Sequence, residues 1–308
     1  MTDRSACPVT RSVYEWRPFA SLNTADYMEQ LAALRSEEFS RIYLSLMNYP
    51  GILSALSADA HAVTSYSRQL TSFLHNVHAL GFTVTALGGD PSWVNAPTRV
   101  MNTELLRYVI DYNRSAAHRV KLDGIQFDNE PWSAPECGES YASQVTRYLD
   151  TIAHVLGHPG LRTARNGFSI GFTVPFSYTN MHAGIAEVPY EGESKYAAYH
   201  ALDLLNARRG SHLAFLDYRD AVGGPNGSIA LARELLLYAR ASAPNVGVLI
   251  AQEVTDVEPR SITFYGKGYG ALNGALADLA SAFGDNPQLQ GFAINDAQGL
   301  TALLSPVG

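Results

Sequence analysis

The chain has 308 residues, 46% of them hydrophobic and 17% charged, and 22 Lys and Arg against 29 Asp and Glu give a net charge of −7. This composition excludes a disordered, collagen-like or coiled-coil chain, and the acidic balance argues against a nucleic-acid partner, because phosphate binding needs a basic surface. No apolar run reaches the roughly 20 residues that span a bilayer, and no signal-peptide pattern precedes the first predicted strand, so we expect a cytoplasmic protein without a membrane partner.

Short runs rich in β-branched and aromatic residues alternate with longer amphipathic runs along the whole chain. The predicted strands are Val9–Arg17, Arg41–Met47, Phe82–Leu87, Gly124–Glu130, Phe168–Val174, His212–Tyr218, Val246–Gln252 and Gln290–Asn295. Between them the pattern predicts helices at about 24–39, 60–80, 103–119, 141–156, 195–206, 228–243 and 269–283. A long connection from Pro175 to Ser194 separates the fifth strand from its helix.

Eight strand–helix units with short connections predict an α/β fold, a single (β/α)8 TIM barrel over residues 1–308. An open doubly wound sheet would need a glycine-rich phosphate turn after an early strand, and the sequence has no G-x-G-x-x-G motif or P-loop there. In a TIM barrel the chemistry lies at the carboxyl ends of the strands, so the residues at these ends are the candidates for a functional site.

The predicted strand ends are polar and rich in acids, and they hold all three tryptophans of the chain. Indole rings stack on the faces of sugars, so Trp16, Trp93 and Trp132 predict a carbohydrate or another flat ligand. The alternative is that each tryptophan only packs at the edge of an element. Further candidate substrate contacts at these ends are Asp90, Tyr218 and Asn295.

Acidic residues end the fourth and seventh strands. Alternation along the fourth strand places Gln126, Asp128 and Glu130 on one face, pointing into the barrel. Glu253 follows the hydrophobic seventh strand, across the ring of strands from the fourth. Two facing carboxyl groups are the requirement of glycoside hydrolysis, one as proton donor and one as nucleophile or base. The alternative is that Glu253 is an ion-paired or capping acid.

Asn129-Glu130-Pro131 on strand four, with Glu253 on strand seven, resembles the large clan of retaining (β/α)8 glycosidases. The resemblance implies that Glu130 is the acid/base, Glu253 the nucleophile and Asn129 a contact to a sugar hydroxyl. It also implies that Tyr218 hydrogen-bonds the nucleophile. The arginine that this clan carries on strand two has no counterpart, since Arg41 lies at the start of that strand.

The segment from Asp123 to Glu130 is also similar to the D-G-x-D-x-D-x-E strand of family 18 chitinases, with Gln126 in place of one acid. That resemblance implies a different chemistry, in which Glu130 is the acid and the acetamide group of the substrate, held by Asp128, is the nucleophile. Glu253 would then be auxiliary. Both resemblances make Glu130 the proton donor.

No cofactor or metal is expected. The histidines lack the H-x-H pattern of metal-dependent barrel hydrolases, and no lysine ends a strand. The sequence therefore predicts a glycosidase that acts on a carbohydrate or glycoside-like small molecule by a retaining two-carboxylate mechanism, with Glu130 as acid/base and Glu253 as nucleophile. Asp128 is the third candidate catalytic residue. The alternatives are a substrate-assisted chitinase-like hydrolase, a barrel recruited to acid/base chemistry on a biosynthetic metabolite, and a non-catalytic carbohydrate-binding barrel.

Overall fold

Eight parallel strands close into a barrel in the computed structural model, which describes residues 9–54, 56–136, 138–164, 167–179 and 186–304. The strands are β1 (Thr10–Glu15), β2 (Phe39–Ser45), β3 (Thr83–Gly88), β4 (Gly124–Phe127), β5 (Ser169–Pro175), β6 (Val188–Tyr190), β7 (Glu193–Lys195), β8 (Ser211–Leu216), β9 (Val246–Glu253) and β10 (Leu289–Asn295). Around the barrel the hydrogen-bonded order is β1-β10-β9-β8-β5-β4-β3-β2, while β6 and β7 form a separate antiparallel pair. The predicted (β/α)8 barrel is confirmed.

Helices follow the barrel strands. They are α1 (Phe19–Leu22), α2 (Ala25–Ser36), α3 (Pro50–Leu53), α4 (Ala60–Ala79), α5 (Val100–Ser115), α6 (Tyr141–Leu156), α7 (Ala197–Asn206), α8 (Ser228–Ser242), α9 (Tyr269–Phe283) and α10 (Ala297–Leu304). Side-chain caps begin several of them: Thr24 accepts a hydrogen bond from the amide of Tyr27, and Asp59 from that of Ala62. Gly81, with a φ of +85°, follows the end of α4, where the sequence predicts that this helix stops. Among the described helices, none combines the length and apolarity needed to cross a bilayer.

The core has two layers because the strands alternate. Outward-facing residues such as Ile125 and Phe127 pack under the helices, in a large hydrophobic cluster. Inward-facing residues form a smaller cluster inside the barrel that includes Tyr14, Tyr43 and Leu249. The inner layer also contains buried polar side chains, which lie toward the carboxyl ends of the strands.

Several predicted boundaries differ from the structure. Strand β4 ends at Phe127 and β8 at Leu216, so Glu130 and Tyr218 lie in the connections beyond their strands. Helix α5 ends at Ser115, because the chain leaves the helix at Ala116 and then makes a separate 3-10 turn. The long connection after β5 contains the β6–β7 hairpin, and residues 180–185 of it lie outside the described part of the chain.

Candidate active site

Two carboxyl groups lie side by side where β4 ends. The Asp128 and Glu130 side chains are half-buried and hydrogen-bonded to each other, and the side chain of Trp132 is hydrogen-bonded to Glu130. Burial, and next the charge of Asp128, raise the pKa of Glu130 to about 8. Burial also raises the pKa of Asp128. The pair therefore retains a proton at neutral pH, which is the requirement for a general acid.

The backbone brings Asp128 to this place through a close approach of β3 and β4. The Asp128 amide donates to the Gly88 carbonyl oxygen over 2.9 Å. A Cβ on Gly89 would lie 2.4 Å from the carbonyl oxygen of Asp128, so only glycine fits there. The Gly88-Gly89 pair thus serves to place the carboxylate strand against its neighbour.

A neutral hydrogen-bond network lies beneath the carboxyl pair, inside the barrel. The Gln126 amide nitrogen donates to the Tyr14 hydroxyl (2.9 Å) and the Thr173 hydroxyl (3.2 Å), and the Gln126 oxygen is 3.0 Å from His212 Nε2. Burial lowers the pKa of His212 to about 3, so its ring is neutral. Because an amide oxygen only accepts, the proton of His212 lies on Nε2. The Thr173 hydroxyl, which accepts from Gln126, is also hydrogen-bonded to Asp128.

Glu253 ends β9 and is buried. Its Oε1 accepts from the amides of Val254 (2.9 Å) and Thr255 (2.7 Å) and from the Thr255 hydroxyl (2.6 Å). Its Oε2 accepts from the Asn295 side-chain amide over 2.6 Å. Four donors suit an ionised carboxylate, which only accepts hydrogen bonds.

Asn295 joins this carboxylate to an exposed indole. The Trp16 Nε1–H donates to Asn295 Oδ1 over 2.7 Å, and the Trp16 ring stacks on Tyr14 with 6.1 Å between ring centres. Trp16 is 37% exposed. The Trp16 ring therefore lies at the mouth of the barrel. Its Nε1 edge is held by Asn295, and the exposed part of the ring is accessible to a ligand.

Tyr218 lies beyond β8 with a φ of +40°, a left-handed conformation that is uncommon for a tyrosine. Burial, followed by the charges of Glu253, Glu130 and Asp128, raises its pKa well above the usual value. The Tyr218 hydroxyl thus remains protonated in the field of all three acids. The structure brings these four residues together at the barrel mouth.

Three predicted site residues serve the scaffold behind the mouth. The Asn129 side chain is fully buried, donates to Asn102 Oδ1 (2.7 Å) and accepts from the Asp90 amide (3.2 Å). Trp93 is only 5% exposed, and its carbonyl accepts from Asn102 over 3.0 Å. The Asp90 carboxylate caps the amide (2.8 Å) and hydroxyl (2.5 Å) of Ser92. These contacts tie the ends of β3 and β4 to α5.

Trp132 has an intermediate position. Its half-buried ring makes edge contacts with Tyr178 (5.0 Å between ring centres) and Tyr148 (5.8 Å), while its side chain hydrogen-bonds Glu130. It also packs against the inner cluster of the barrel. Trp132 therefore lies beside Glu130, and its hydrogen bond favours the ionised carboxylate against the larger effect of burial.

Tyr14, Thr173 and His212 are site residues that the sequence analysis missed. Alternation along the strands would have placed each of them inside the barrel. His212 is the second residue of β8, and its ring contacts Gln126, which lies 86 positions away in the sequence. Within the described ranges, no group of three or more His, Cys, Asp or Glu is arranged to hold a metal ion.

No protein-family model matches the chain, and no curated protein does. Solved structures resemble it at low identity. A xylanase and α-amylase inhibitor protein, solved with trehalose, has a TM-score of 0.52 and 12% identity over 97% of this chain and 96% of that chain. A chitinase from Bacteroides thetaiotaomicron has a TM-score of 0.51 and 11% identity, covering 96% and 94%.

A third structure is a mutant family 18 chitinase from Cycas revoluta in complex with (GlcNAc)4. It has a TM-score of 0.50 and 9% identity, covering 95% of this chain and 96% of that chain. The shared feature is the fold. These likenesses support the (β/α)8 barrel fold.

Proposed function

We propose that the protein is a retaining glycoside hydrolase in which Glu130 donates a proton to the leaving glycosidic oxygen. The observation that carries the proposal is the hydrogen-bonded Asp128–Glu130 pair, in which the pKa of Glu130 is raised to about 8. A carboxyl group that holds its proton at neutral pH, at the carboxyl end of a barrel strand, is the general acid of this reaction class.

The nucleophile in this proposal is the acetamide group of the substrate. Both oxygens of Glu253 already accept hydrogen bonds from the protein, three on Oε1 and one on Oε2, so an attack by Glu253 would have to disrupt its own support. Asp128, in contrast, lies directly beside the acid. An ionised Asp128 can accept the N–H of an acetamide and stabilise the positive charge that develops on it. Substrate-assisted catalysis of this kind is a known exception to the two-carboxylate scheme.

The bonds and protons balance in two steps. The acetamide oxygen attacks C1, the bond from C1 to the leaving oxygen breaks, and the Glu130 proton passes to that oxygen. Water then attacks C1 from the other face, the bond from C1 to the acetamide oxygen breaks, and Glu130 takes a proton from the water. Two inversions retain the configuration. Because the acetamide attacks opposite the leaving group, the substrate is a 1,2-trans glycoside such as a β-linked N-acetylglucosaminide.

Other residues of the mouth bind and position the sugar in this proposal. The protonated Tyr218 hydroxyl donates a hydrogen bond to the substrate, and Trp16 and Trp132 supply aromatic surface to its ring. Asn295 orients Trp16 and Glu253. Asn129, Asp90 and Trp93 act as positioning residues, since they hold the chain that carries Asp128 and Glu130.

The test compares two aryl β-glycosides that differ only at C2, one with an acetamido group and one with a hydroxyl group. We expect hydrolysis of the first at least 100-fold faster than the second, with a product of retained configuration by proton NMR. Equal rates would overturn substrate assistance. Binding without turnover would favour a carbohydrate-binding barrel, and inertness toward all glycosides would favour acid/base chemistry on another metabolite.

A second candidate mechanism keeps Glu253 as the nucleophile of a two-carboxylate double displacement. One observation favours it: the charge of Glu253 contributes to the raised pKa of both Glu130 and Tyr218, so the three groups share one field. Azide added to Glu253→Ala distinguishes the mechanisms. A glycosyl azide of inverted configuration would identify Glu253 as the nucleophile, whereas its absence, with appreciable residual hydrolysis, supports the acetamide.

A further inference from the structure

A groove opens beside the mouth, between the segment that follows β9 and helix α10. Its volume is about 520 Å3, and its lining includes Thr255, Tyr265, Asp296 and Leu303. This volume falls within the usual range of small-molecule sites, on the order of 300–1,000 Å3. Neither the carboxyl pair nor the tryptophans of the mouth belong to it.

The groove shares a wall with the candidate active site. Thr255 lines it and also donates two hydrogen bonds to Glu253 Oε1. Asp296 lines it and directly follows Asn295, which donates to Glu253 Oε2. The residues that hold the Glu253 carboxylate therefore separate the mouth on one side from the groove on the other.

Three polar groups on the groove wall already have protein partners. The Thr255 hydroxyl is bound to Glu253, Asp296 Oδ1 accepts from the Gly299 amide (2.8 Å), and Asp256 Oδ1 pairs with Arg260 (2.6 Å). The rest of the wall is mostly carbon and bare backbone, and its other polar side-chain groups are the Gln298 amide and the Tyr265 hydroxyl. It includes the 45% exposed ring of Tyr265 and the side chain of Leu303.

Two glycines keep the groove open. Gly266 and Gly268 have φ values of +73° and +79°, and a Cβ on either would meet no atom within 4 Å. The left-handed backbone favours glycine at both positions, and the space above them is free. The opposite wall is formed by residues of α10, which are small or apolar except for Gln298 and include the exposed Ala302.

From this we infer that the groove binds the apolar part of an amphipathic glycoside, an alkyl or aryl aglycone whose sugar occupies the mouth. The position of the sugar in this inference rests on the proposed function. The position of the apolar group rests on the groove alone. A second sugar in the groove would need many hydrogen-bonding groups, whereas most of the wall is apolar, and the Thr255 hydroxyl and one oxygen each of Asp256 and Asp296 are engaged by the protein.

The experiment measures binding of octyl and methyl 2-acetamido-2-deoxy-β-glucosides by calorimetry, below the micelle concentration of the octyl compound. We expect the octyl glycoside to bind at least tenfold more tightly than the methyl glycoside. Ala302→Trp, which fills the groove from an exposed helix position, abolishes that advantage and leaves methyl binding unchanged. Ala32→Trp, at an exposed position of α2, is the matched control and keeps it. Tyr265→Ala reduces the advantage and guards against misfolding of the first variant.

Equal binding of the two glycosides to the wild type, or an octyl advantage that survives both groove variants, would overturn the inference. If neither glycoside binds, free 4-methylumbelliferone serves as the probe, followed by its fluorescence. If 4-methylumbelliferone binds to the wild type and Ala302→Trp abolishes this binding, the groove remains an apolar site and only the proposed sugar specificity fails. If 4-methylumbelliferone does not bind to the wild type, the groove site itself is overturned. A wild-type dimer in sedimentation that Ala302→Trp dissociates would also overturn it.

Discussion

Glu130 is half-buried beside a second carboxyl group, so two physical effects raise its pKa. Burial disfavours its charged form, and the neighbouring negative charge of Asp128 does the same. The hydrogen bonds of Asp128 with Thr173 and Glu130 both favour its ionised form. For Glu130, the hydrogen bond of Trp132 also favours ionisation, but burial and the charge of Asp128 outweigh it. At the scale of single residues, the shared proton therefore belongs on Glu130 and the charge on Asp128.

Replacement of Glu130 by Gln removes the proton donor and keeps the shape of the side chain. We expect Glu130→Gln to lower kcat by about 10² to 10⁴-fold on a substrate with a poor leaving group, the range that general acid catalysis supplies. Steady-state kinetics on an alkyl glycoside measure this. Glu136→Gln, at an exposed position of the same connection, is the control, and a comparable loss in that variant would remove the special role of Glu130.

The raised pKa of Glu130 also makes stability depend on pH. A carboxyl group with a folded pKa of about 8 against an ordinary 4.5 stabilises the fold fully below pH 4.5, and this contribution is lost as pH rises through 8. We therefore expect Glu130→Gln to gain on the order of 3 kcal/mol relative to the wild type between pH 5 and pH 9. Urea unfolding at both pH values measures it, and parallel behaviour of the two proteins would contradict a raised pKa.

At the scale of elements, the contact between β5 and β8 determines how the inner network is supported. Gly171 of β5 pairs with His212 of β8, and a Cβ on Gly171 would lie 2.0 Å from His212 Nε2. That nitrogen is the donor to Gln126, so a displaced ring would leave the Gln126 oxygen buried without a partner. Because Gly171 of β5 has no side chain, the His212 ring of β8 can keep the position from which it donates to Gln126.

Gly171→Ala is expected to destabilise the protein by about 1–3 kcal/mol, because the new methyl group overpacks the barrel interior. The matched control is Gly274→Ala in α9, where a Cβ meets no atom within 4 Å. There alanine should stabilise by about 0.5–1 kcal/mol, since glycine is unfavourable inside a helix. Thermal unfolding of both variants measures the contrast. Similar effects in the two would show that His212 does not depend on the space at Gly171.

At the scale of the whole molecule, the alternation of strands and helices was sufficient to predict the barrel, because each strand–helix unit carries its own local pattern. The β6–β7 hairpin was not predicted, since its three-residue strands include Pro189 and surround Gly192, a composition typical of turns. Asp128 and Glu130 were found because their signal is local. Tyr14 was not, because it meets Gln126 across 112 positions of sequence and only closure of the barrel joins them.

Trp93 and Asn129 illustrate what position at a strand end cannot decide. Both stand where ligand contacts were expected, yet their side chains turn into the scaffold, Trp93 into the outer core and Asn129 toward α5. For Asn129 the alternation along the strand already predicts that its side chain points away from the site, since it falls on the face opposite Asp128. For Trp93 the direction depends on the 3-10 turn from Pro91 to Val94, which the strand pattern does not specify.

The central claim is that the Asp128–Glu130 pair holds a proton on Glu130 at neutral pH. A carbon-13 NMR titration of the Glu130 carboxyl carbon tests it without any substrate, with the signal assigned by its loss in Glu130→Gln. We predict a transition near pH 8 that moves to lower pH in Asp128→Asn, because that variant removes the neighbouring charge. A transition near the ordinary value of 4.5, unchanged by Asp128→Asn, would contradict it.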